Sequence, residues 1–326
     1  MTSMRTALCD LLGIESPIIQ APFGQWTSAG LVAAVSNAGG LGSLGASGRS
    51  ADDLRRDLDE IRARTTRPFA VNHITRTFDE EAFSATVEAA PAVVSLALGD
   101  PGELVGRAHA AGSLFMQQVH TVEQARLCAE RGVDIIIAQG SEAGGFGGAV
   151  SGLALVPQVV DAVSPIPVVA AGGIADGRGL AAALVLGAQG INVGTRFLAC
   201  SDAERVSDEW KRRIVAAESE EAVKLEFWND VFAPGEGSWE TIPRALRTAF
   251  VDEWRGPGTS AALEAERIAG EIERAVQDGR LHELAPFSGQ TVGLIDEILS
   301  AAEIVESIVA EAEEALRVTA MISAPR

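Results

Sequence analysis

The chain has 326 residues, enough to bury a full core, and its 45 acidic side chains against 26 lysines and arginines give a formal charge of −19. That balance argues against nucleic acid or an anionic membrane surface as the main partner. No basic flank followed by an apolar stretch of about 7–15 residues marks the N-terminus, and no uncharged apolar run approaches ~18 residues, so neither secretion nor membrane insertion is expected. The expectation is a cytoplasmic protein acting on a small-molecule substrate, with homo-oligomerisation left open. Cys9, Cys128 and Cys200 are few and widely spaced, which offers no disulfide framework and no metal-ligand spacing.

Strand and helix signals alternate from the start. Strands are predicted at Pro17–Gln20, Gly42–Leu44, Phe69–Asn72, Val93–Leu96, Leu114–Val119, Ile135–Ala138, Pro167–Ala170 and Gly190–Val193. Between them helices are predicted at Ala29–Asn37, Ala51–Ala63, Glu80–Ala89, Glu103–Ala111, Val122–Arg131, Leu155–Ala162 and Gly177–Leu186. Eight strands parted by helices through short loops predict an α/β fold, a (β/α)8 TIM barrel, rather than an open doubly wound sheet. A dinucleotide-binding sheet would place its glycine motif after the first strand, whereas Gly40–Gly45 follows the first helix. From about Ser201 to Ala285 the rhythm changes, and four of the five tryptophans (Trp210, Trp228, Trp239, Trp254) fall there. This stretch, 201–285, reads as a helical insertion after strand 8 that covers the barrel mouth. Residues 1–200 and 286–326 then form the barrel, which resumes at Val292–Leu299 and ends in an amphipathic helix over Ala301–Leu316.

Three glycine-rich loops carry the chemistry. They are Ala138-Gln139-Gly140-Ser141-Glu142-Ala143-Gly144-Gly145-Phe146-Gly147-Gly148, Ala170-Ala171-Gly172-Gly173-Ile174-Ala175-Asp176-Gly177, and Gly190-Ile191-Asn192-Val193-Gly194-Thr195-Arg196-Phe197. Each follows or ends a short apolar run, so each reads as a buried strand delivering backbone to the same end of the barrel. Glycine is needed where N–H groups approach a phosphate or a flat ring, because a Cβ would stand in the way. One such loop would be an ordinary turn; three along one chain point to a ligand bearing a phosphate.

With Gln20-Ala21-Pro22, Ser36-Asn37-Ala38-Gly39-Gly40-Leu41-Gly42, Val71-Asn72 and Gly289-Gln290 added to those loops, the chain resembles the nitronate monooxygenase family. It is also similar to the related flavin-type enoyl-ACP reductases and NADH:quinone reductases. The resemblance implies an FMN-binding TIM barrel with no metal, and NADH or NADPH as a conceivable reductant. It implies that Gly172, Gly173, Gly194 and Thr195 meet the FMN phosphate and that the backbone of Ala21, Pro22, Phe23 and Gly24 lies against the isoalloxazine. Asn72, Gln118 and Gln139, with the turn at Gly144 and Gly145, complete the implied cofactor set. In some relatives a lysine stands at the position of Gln118, so a neutral amide here implies weaker stabilisation of anionic reduced flavin.

Phe146 is the departure that matters. The family pattern reads Glu-Ala-Gly-Gly-His-x-Gly, with the histidine as proton carrier beside the flavin; Phe146 stands in its place and can neither accept nor donate a proton. A neutral nitroalkane needs deprotonation before oxidation, whereas a nitronate is already anionic. The leading expectation is therefore oxidation of alkyl nitronates with O2 to a carbonyl compound and nitrite. The alternative is an NAD(P)H-dependent reductase of a quinone, enone or enoyl thioester, and a third reading is a flavin-binding protein without turnover. Among the histidines, His120 follows Gln118 by two positions and is the candidate substitute base, while His73, next to Asn72, points to the other side of the strand and His109 and His282 read as packing or surface residues. Glu142 reads as a loop-orienting carboxylate, and Asp176 as a helix cap that Arg178 can pair with.

Overall fold

The computed structural model describes residues 4–255 and 260–322; residues 1–3, 256–259 and 323–326, which belong to the expected barrel ends and insertion, lie outside the described residues. Eight parallel strands form the barrel: β1 (Ile18–Gln20), β2 (Gly42–Gly45), β3 (Phe69–Ile74), β4 (Val93–Ala97), β5 (Leu114–Val119), β6 (Ile135–Gln139), β8 (Val168–Ala171) and β9 (Gly190–Val193). The remaining strands, β7 (Gly145–Gly147), β10 (Ala222–Lys224) and β11 (Ile242–Leu246), form a separate antiparallel ribbon in the order β10, β11, β7. The barrel closes where Gln20 N donates to Leu41 O at 2.9 Å and Leu41 N to Ile18 O at 2.9 Å, next to the Ile19–Leu41 bridge. All eight predicted barrel strands are present, with ends shifted by a residue or two.

Strand side chains alternate, so one set faces the barrel axis and the other the helices. Ile19, Ala70, Met116, Ile135, Ile137, Val169 and Ala171 share one buried cluster with Leu8 and Leu12 of the short N-terminal helix Ala7–Leu12. Two residues on from Ala70, Met116 and Ile137 along their strands come Asn72, Gln118 and Gln139. The alternation thus carries the polar residues to the same face as the apolar interior, at the C-terminal ends where this architecture places its active sites.

The outer layer is made of amphipathic helices that start on side-chain caps. Ser28, Ser50, Asp79, Thr121 and Asp176 each accept a backbone N–H in the first turn of the helix that follows. The helix Ala301–Ile322 completes the ring by packing on Gly177–Val185: Gly177 N donates to Glu311 Oε2 at 2.9 Å, and a Cβ at Gly177 would meet Ala312 N at 2.3 Å. It runs six residues beyond its predicted end.

Two expectations need correction. Val292–Leu299 does not resume barrel strand structure: Gln290–Leu294 is a 3-10 turn, and the stretch reaches the sheet only through an isolated bridge between Cys200 and Leu299. The stretch 201–285 is not purely helical either. β10 and β11 lie between its helices Asp208–Ala216 and Ala249–Arg255, ahead of the helix Ala265–Gln277, and β11 pairs with β7 in the register Pro243 opposite Phe146. The segment has its own apolar core, with Leu225, Phe227, Trp228, Phe250, Val251, Ile268 and Ile272 buried together.

Candidate active site

A cavity of about 700 Å³ opens at the C-terminal ends of the strands, roofed by the 201–285 segment. The backbone of Ala21–Gly24, the glycines Gly144, Gly145, Gly172, Gly173 and Gly194, and Thr195, Asn72, Gln118 and Gln139 all line it, together with Phe146. Every residue expected to meet a cofactor is therefore brought to one chamber. His120 is not on its wall.

The floor is held by a chain of hydrogen bonds. Buried Gln20 donates to its neighbour's carbonyl, Ala21 O, and accepts from Ser43 N at 3.0 Å, which fixes the strand exit that carries Ala21 and Pro22. Asn72 Nδ2 donates to Ser95 Oγ at 3.0 Å. Thr195 Oγ1 accepts from Gly289 N at 2.9 Å and keeps its own proton free to donate. The main-chain N–H groups of Gly173 and Gly194 find no acceptor among the described residues. A Cβ added at Gly194 would meet only Ala21 Cβ, at 3.6 Å, and one at Gly173 nothing nearer than Glu142 Cβ at 3.6 Å, so the backbone is not crowded by protein at either glycine. Asn192 Oδ1, also on the cavity wall, is buried without a donor. Unused amides and an orphaned amide oxygen are the polar partners that a phosphate-bearing ring ligand would complete.

Behind Gln118 and Gln139 sits His120. Its Nε2 lies 3.0 Å from Gln139 Oε1 and 3.3 Å from Gln118 Nε2, and its ring meets Trp239 edge-on at a centroid distance of 6.4 Å. It shares the facing of Gln118, as alternation requires, but it is buried behind the amides. Burial pushes its pKa down to about 4, against the hydrogen bond it donates to Gln139 and with the help of the Lys224 charge, so the ring is neutral at pH 7. Of the other histidines, His73 is turned outward, 2.9 Å from Thr86 Oγ1 and edge-on to Phe83, and burial lowers it to about 4 as well. His109 meets Asp134 at 2.7 Å near the surface, and His282 is buried within the insertion.

The glycine loop between β6 and the helix Gly152–Val163 is stapled from both sides. Both oxygens of Glu142 accept from Gly152 N, at 3.1 and 3.0 Å, so this carboxylate orients the loop. Lys224 Nζ donates to Gly147 O, Gly148 O and Ile242 O at 3.3, 3.3 and 3.0 Å, and Arg244 donates to Ser141 O and Ala222 O. Burial first, then the charge of Arg244, lowers Lys224 to about 8. Asp176 caps its helix and pairs with Arg178 away from the cavity.

Phe146 therefore sits in a short strand with its ring in an aromatic wall. Trp228 lies edge-on at 6.3 Å and Phe287 at 6.2 Å between centroids, and Phe232 stacks near Trp228 at 5.0 Å. Of the four tryptophans in the insertion, Trp210 and Trp228 line the cavity; Trp239 covers His120, and Trp254 belongs to the insertion's own core. Several lining residues carried no sequence signal: Trp26, Leu98, Phe287, the helix face Ile272–Val276, and Arg76. Leu98 takes φ +72°, a left-handed conformation that costs a leucine about a kcal/mol or more and turns the chain after β4 onto the cavity.

A model of the nitronate monooxygenase family matches residues 5–83 and 77–311. The chain is 34% identical over 356 residues to the (3aS,4S,5R,7aS)-5-hydroxy-7a-methyl-1-oxo-octahydro-1H-indene-4-carboxyl-CoA dehydrogenase of Mycobacterium tuberculosis, covering 95% of this chain and 96% of that one. It is 35% identical over 263 residues to a nitronate monooxygenase of Paraburkholderia phytofirmans, covering 66% and 71%. Among solved structures, FabK from Thermotoga maritima superposes with a TM-score of 0.89 at 34% identity, covering 98% of this chain and 100% of that one. The nitroalkane oxidase of Streptomyces ansochromogenes gives a TM-score of 0.82 at 29% identity, covering 96% and 100%. With the barrel, the cavity at its strand ends and a family match along almost the whole chain, this protein belongs to the nitronate monooxygenase family and is an oxidoreductase.

Proposed function

We propose that the chain is an FMN-dependent oxidoreductase whose organic substrate is a bulky apolar acyl compound, an α,β-unsaturated or saturated thioester or ketone, with NADH or NADPH as the partner in electron exchange. The observation that carries this reading is the wall above the polar floor. At Phe146, where the family pattern has histidine, the wall is largely aromatic, built with Phe287 and continued by Trp228, Phe232 and Leu281 of the insertion. Of the carboxylates lining the cavity, Glu142 is occupied by Gly152, and Glu273 stands exposed on the lid helix. A small polar substrate gains little from such a chamber, whereas each buried methylene contributes about 0.8 kcal/mol. The relatives matched over nearly their full length, the carboxyl-CoA dehydrogenase and FabK, favour the same class.

FMN, when bound, supplies the acceptor and donor of hydride. The chain's own part is to hold it and exclude water. In this proposal the Gly173 and Gly194 amides take the phosphate, Asn72, Gln118 and Gln139 bond the polar edge of the ring, and the backbone at Ala21–Gly24 lies against its face. His120, neutral and bonded through Nε2 to Gln139 Oε1, positions that amide beside Gln118.

The test is anaerobic. The purified protein is expected to be yellow, to bleach with NADH or NADPH, and to regain its colour when an enoyl thioester is added. A colourless protein that takes up no FMN removes the reading entirely. Bleaching by preformed nitronates with release of nitrite, and none by nicotinamides, would replace it by nitronate oxidation. That second reading is favoured by the family match and by the anionic character of a nitronate, which needs no base where Phe146 stands.

A further inference from the structure

One cation in the chamber has no counterion among the described residues. Arg76 belongs to the short turn Thr75–Thr77 after β3 and lines the cavity. Its guanidinium carbon lies 4.7 Å from the centroid of the Phe146 ring. It donates to Asn229 Oδ1 at 2.9 Å, to Phe232 O at 3.2 Å and to Thr241 O at 3.5 Å, all on the roofing segment. No carboxylate among the described residues lies within ion-pair distance, and its Nε is buried without an acceptor. The hydrogen bonds to neutral groups fix the guanidinium in place without neutralising it.

A tie between barrel and roof does not require a charge, because a neutral amide would make the same bonds to carbonyls. An unpaired, half-buried cation beside apolar walls costs desolvation free energy that its hydrogen bonds to neutral groups offset only in part. The Phe146 face returns part of it through the cation–π contact, on the order of 0.5–2 kcal/mol. The remainder is recovered when an oxygen bearing negative charge enters the chamber.

We propose that Arg76 is the substrate-anchoring residue of this cavity, binding a negatively charged or strongly polarised carbonyl-type oxygen at the head of an apolar chain packed along Phe146 and Trp228. The proposal rests on the reading of the cavity as a substrate chamber and names what that chamber selects: an apolar molecule carrying a carboxylate or nitronate oxygen. Such a head group forms the ion pair that neutral Asn229 and the carbonyls cannot supply.

Calorimetric titration of the protein as purified tests this without turnover, using octanoate as the anionic probe and octanamide as its neutral counterpart. Wild type is expected to bind octanoate about 10- to 100-fold more tightly than octanamide, the range of a charge-assisted hydrogen bond. Arg76→Met should abolish that preference while leaving octanamide binding within a few-fold, and Arg76→Lys should keep part of it. If Arg76→Met unfolds, the wild-type preference and the lysine variant decide. Equal affinity for the two probes in wild type, no binding of octanoate, or an unchanged preference in folded Arg76→Met would overturn the assignment. Flavin content and bleaching, followed separately, report on the proposed function and can fail while the binding preference stands.

Discussion

At the scale of single residues, Phe146 is set by what surrounds it, and the proposed chemistry can be tested there. Its ring is packed by Trp228 and Phe287 and faced by Arg76, so a histidine placed there would sit beside a cation that keeps it neutral. A neutral imidazole is the form that can accept a proton. Phe146→His is therefore expected to raise turnover of neutral nitroalkanes by about tenfold or more, below the 10²–10⁴-fold of a fully supported base, while leaving preformed nitronates little changed. Parallel assays of nitrite release from a nitroalkane and its nitronate measure the ratio, and an equal change in both would show that proton removal is not what this position governs. Gly194 offers a second residue-scale test. It has ordinary negative φ and room for a first side-chain carbon, so Gly194→Val is expected to fold yet lose FMN, because its branches occupy the space before the free amides. A folded variant that retains a full complement of FMN places the phosphate elsewhere.

At the scale of elements, one buried arginine holds the loop that forms the cavity's edge. Arg49, with a side chain 2% exposed, bonds Asp57 at 2.7 Å and the carbonyl of Gly24 at 2.9 Å, and also reaches the carbonyls of Gly45 and Thr27. Gly45 has no space for a Cβ, which would meet Gly24 N at 2.7 Å, so β2 and the Gly24–Trp26 turn are pressed together around this guanidinium. Arg49→Met should cost about 3 kcal/mol, the low end for breaking a buried pair, because Arg205 still meets Asp57 at 2.8 Å. It should also weaken FMN retention, read as flavin content after dialysis; unchanged stability and flavin would mean the turn is held by its own backbone. None of this was legible beforehand, although the barrel strands were, because a strand buried on both faces announces itself as a short apolar run bounded by turn residues. Asn72, Gln118 and Gln139 were named through the family resemblance, since a lone amide at a strand end reads as an ordinary loop residue; all three line the cavity. The ribbon was not legible: Gly145–Gly147 has no strand propensity and becomes one only because β11 lies beside it, and Val292–Leu299 looks strand-like yet has no free edge to join. Arg76, in a Thr-Arg-Thr turn, reads as surface until the roof is placed over it.

At the scale of the whole molecule, acid stability reports on the two histidines that burial holds neutral, His73 and His120. His73 and His120 are both pushed from 6.5 down to about 4, chiefly by burial, so the folded protein holds them neutral where the unfolded chain would protonate them. The unfolded state therefore binds more protons between pH 6.5 and 4, and the stability present above pH 6.5 is lost as the pH falls through that window. Each histidine accounts for about 3 kcal/mol at pH 4, a large share of the 5–15 kcal/mol that a typical domain possesses. Acid has two further effects on the chain. Protonation relieves the repulsion implied by the charge of −19, while carboxylates held low by arginines, such as Asp100 beside Arg131 and Glu80 beside Arg107, lose their pairing. A difference between variants removes both. His73 lies away from the cavity, against Thr86 and Phe83, and glutamine can keep the bond to Thr86 without titrating. Urea unfolding at pH 7 and pH 4 is expected to show wild type losing about 3 kcal/mol more than His73→Gln over that interval, even if the variant starts out less stable. Equal losses in the two proteins would mean that His73 becomes protonated within the fold, and that the outer face of β3 admits water.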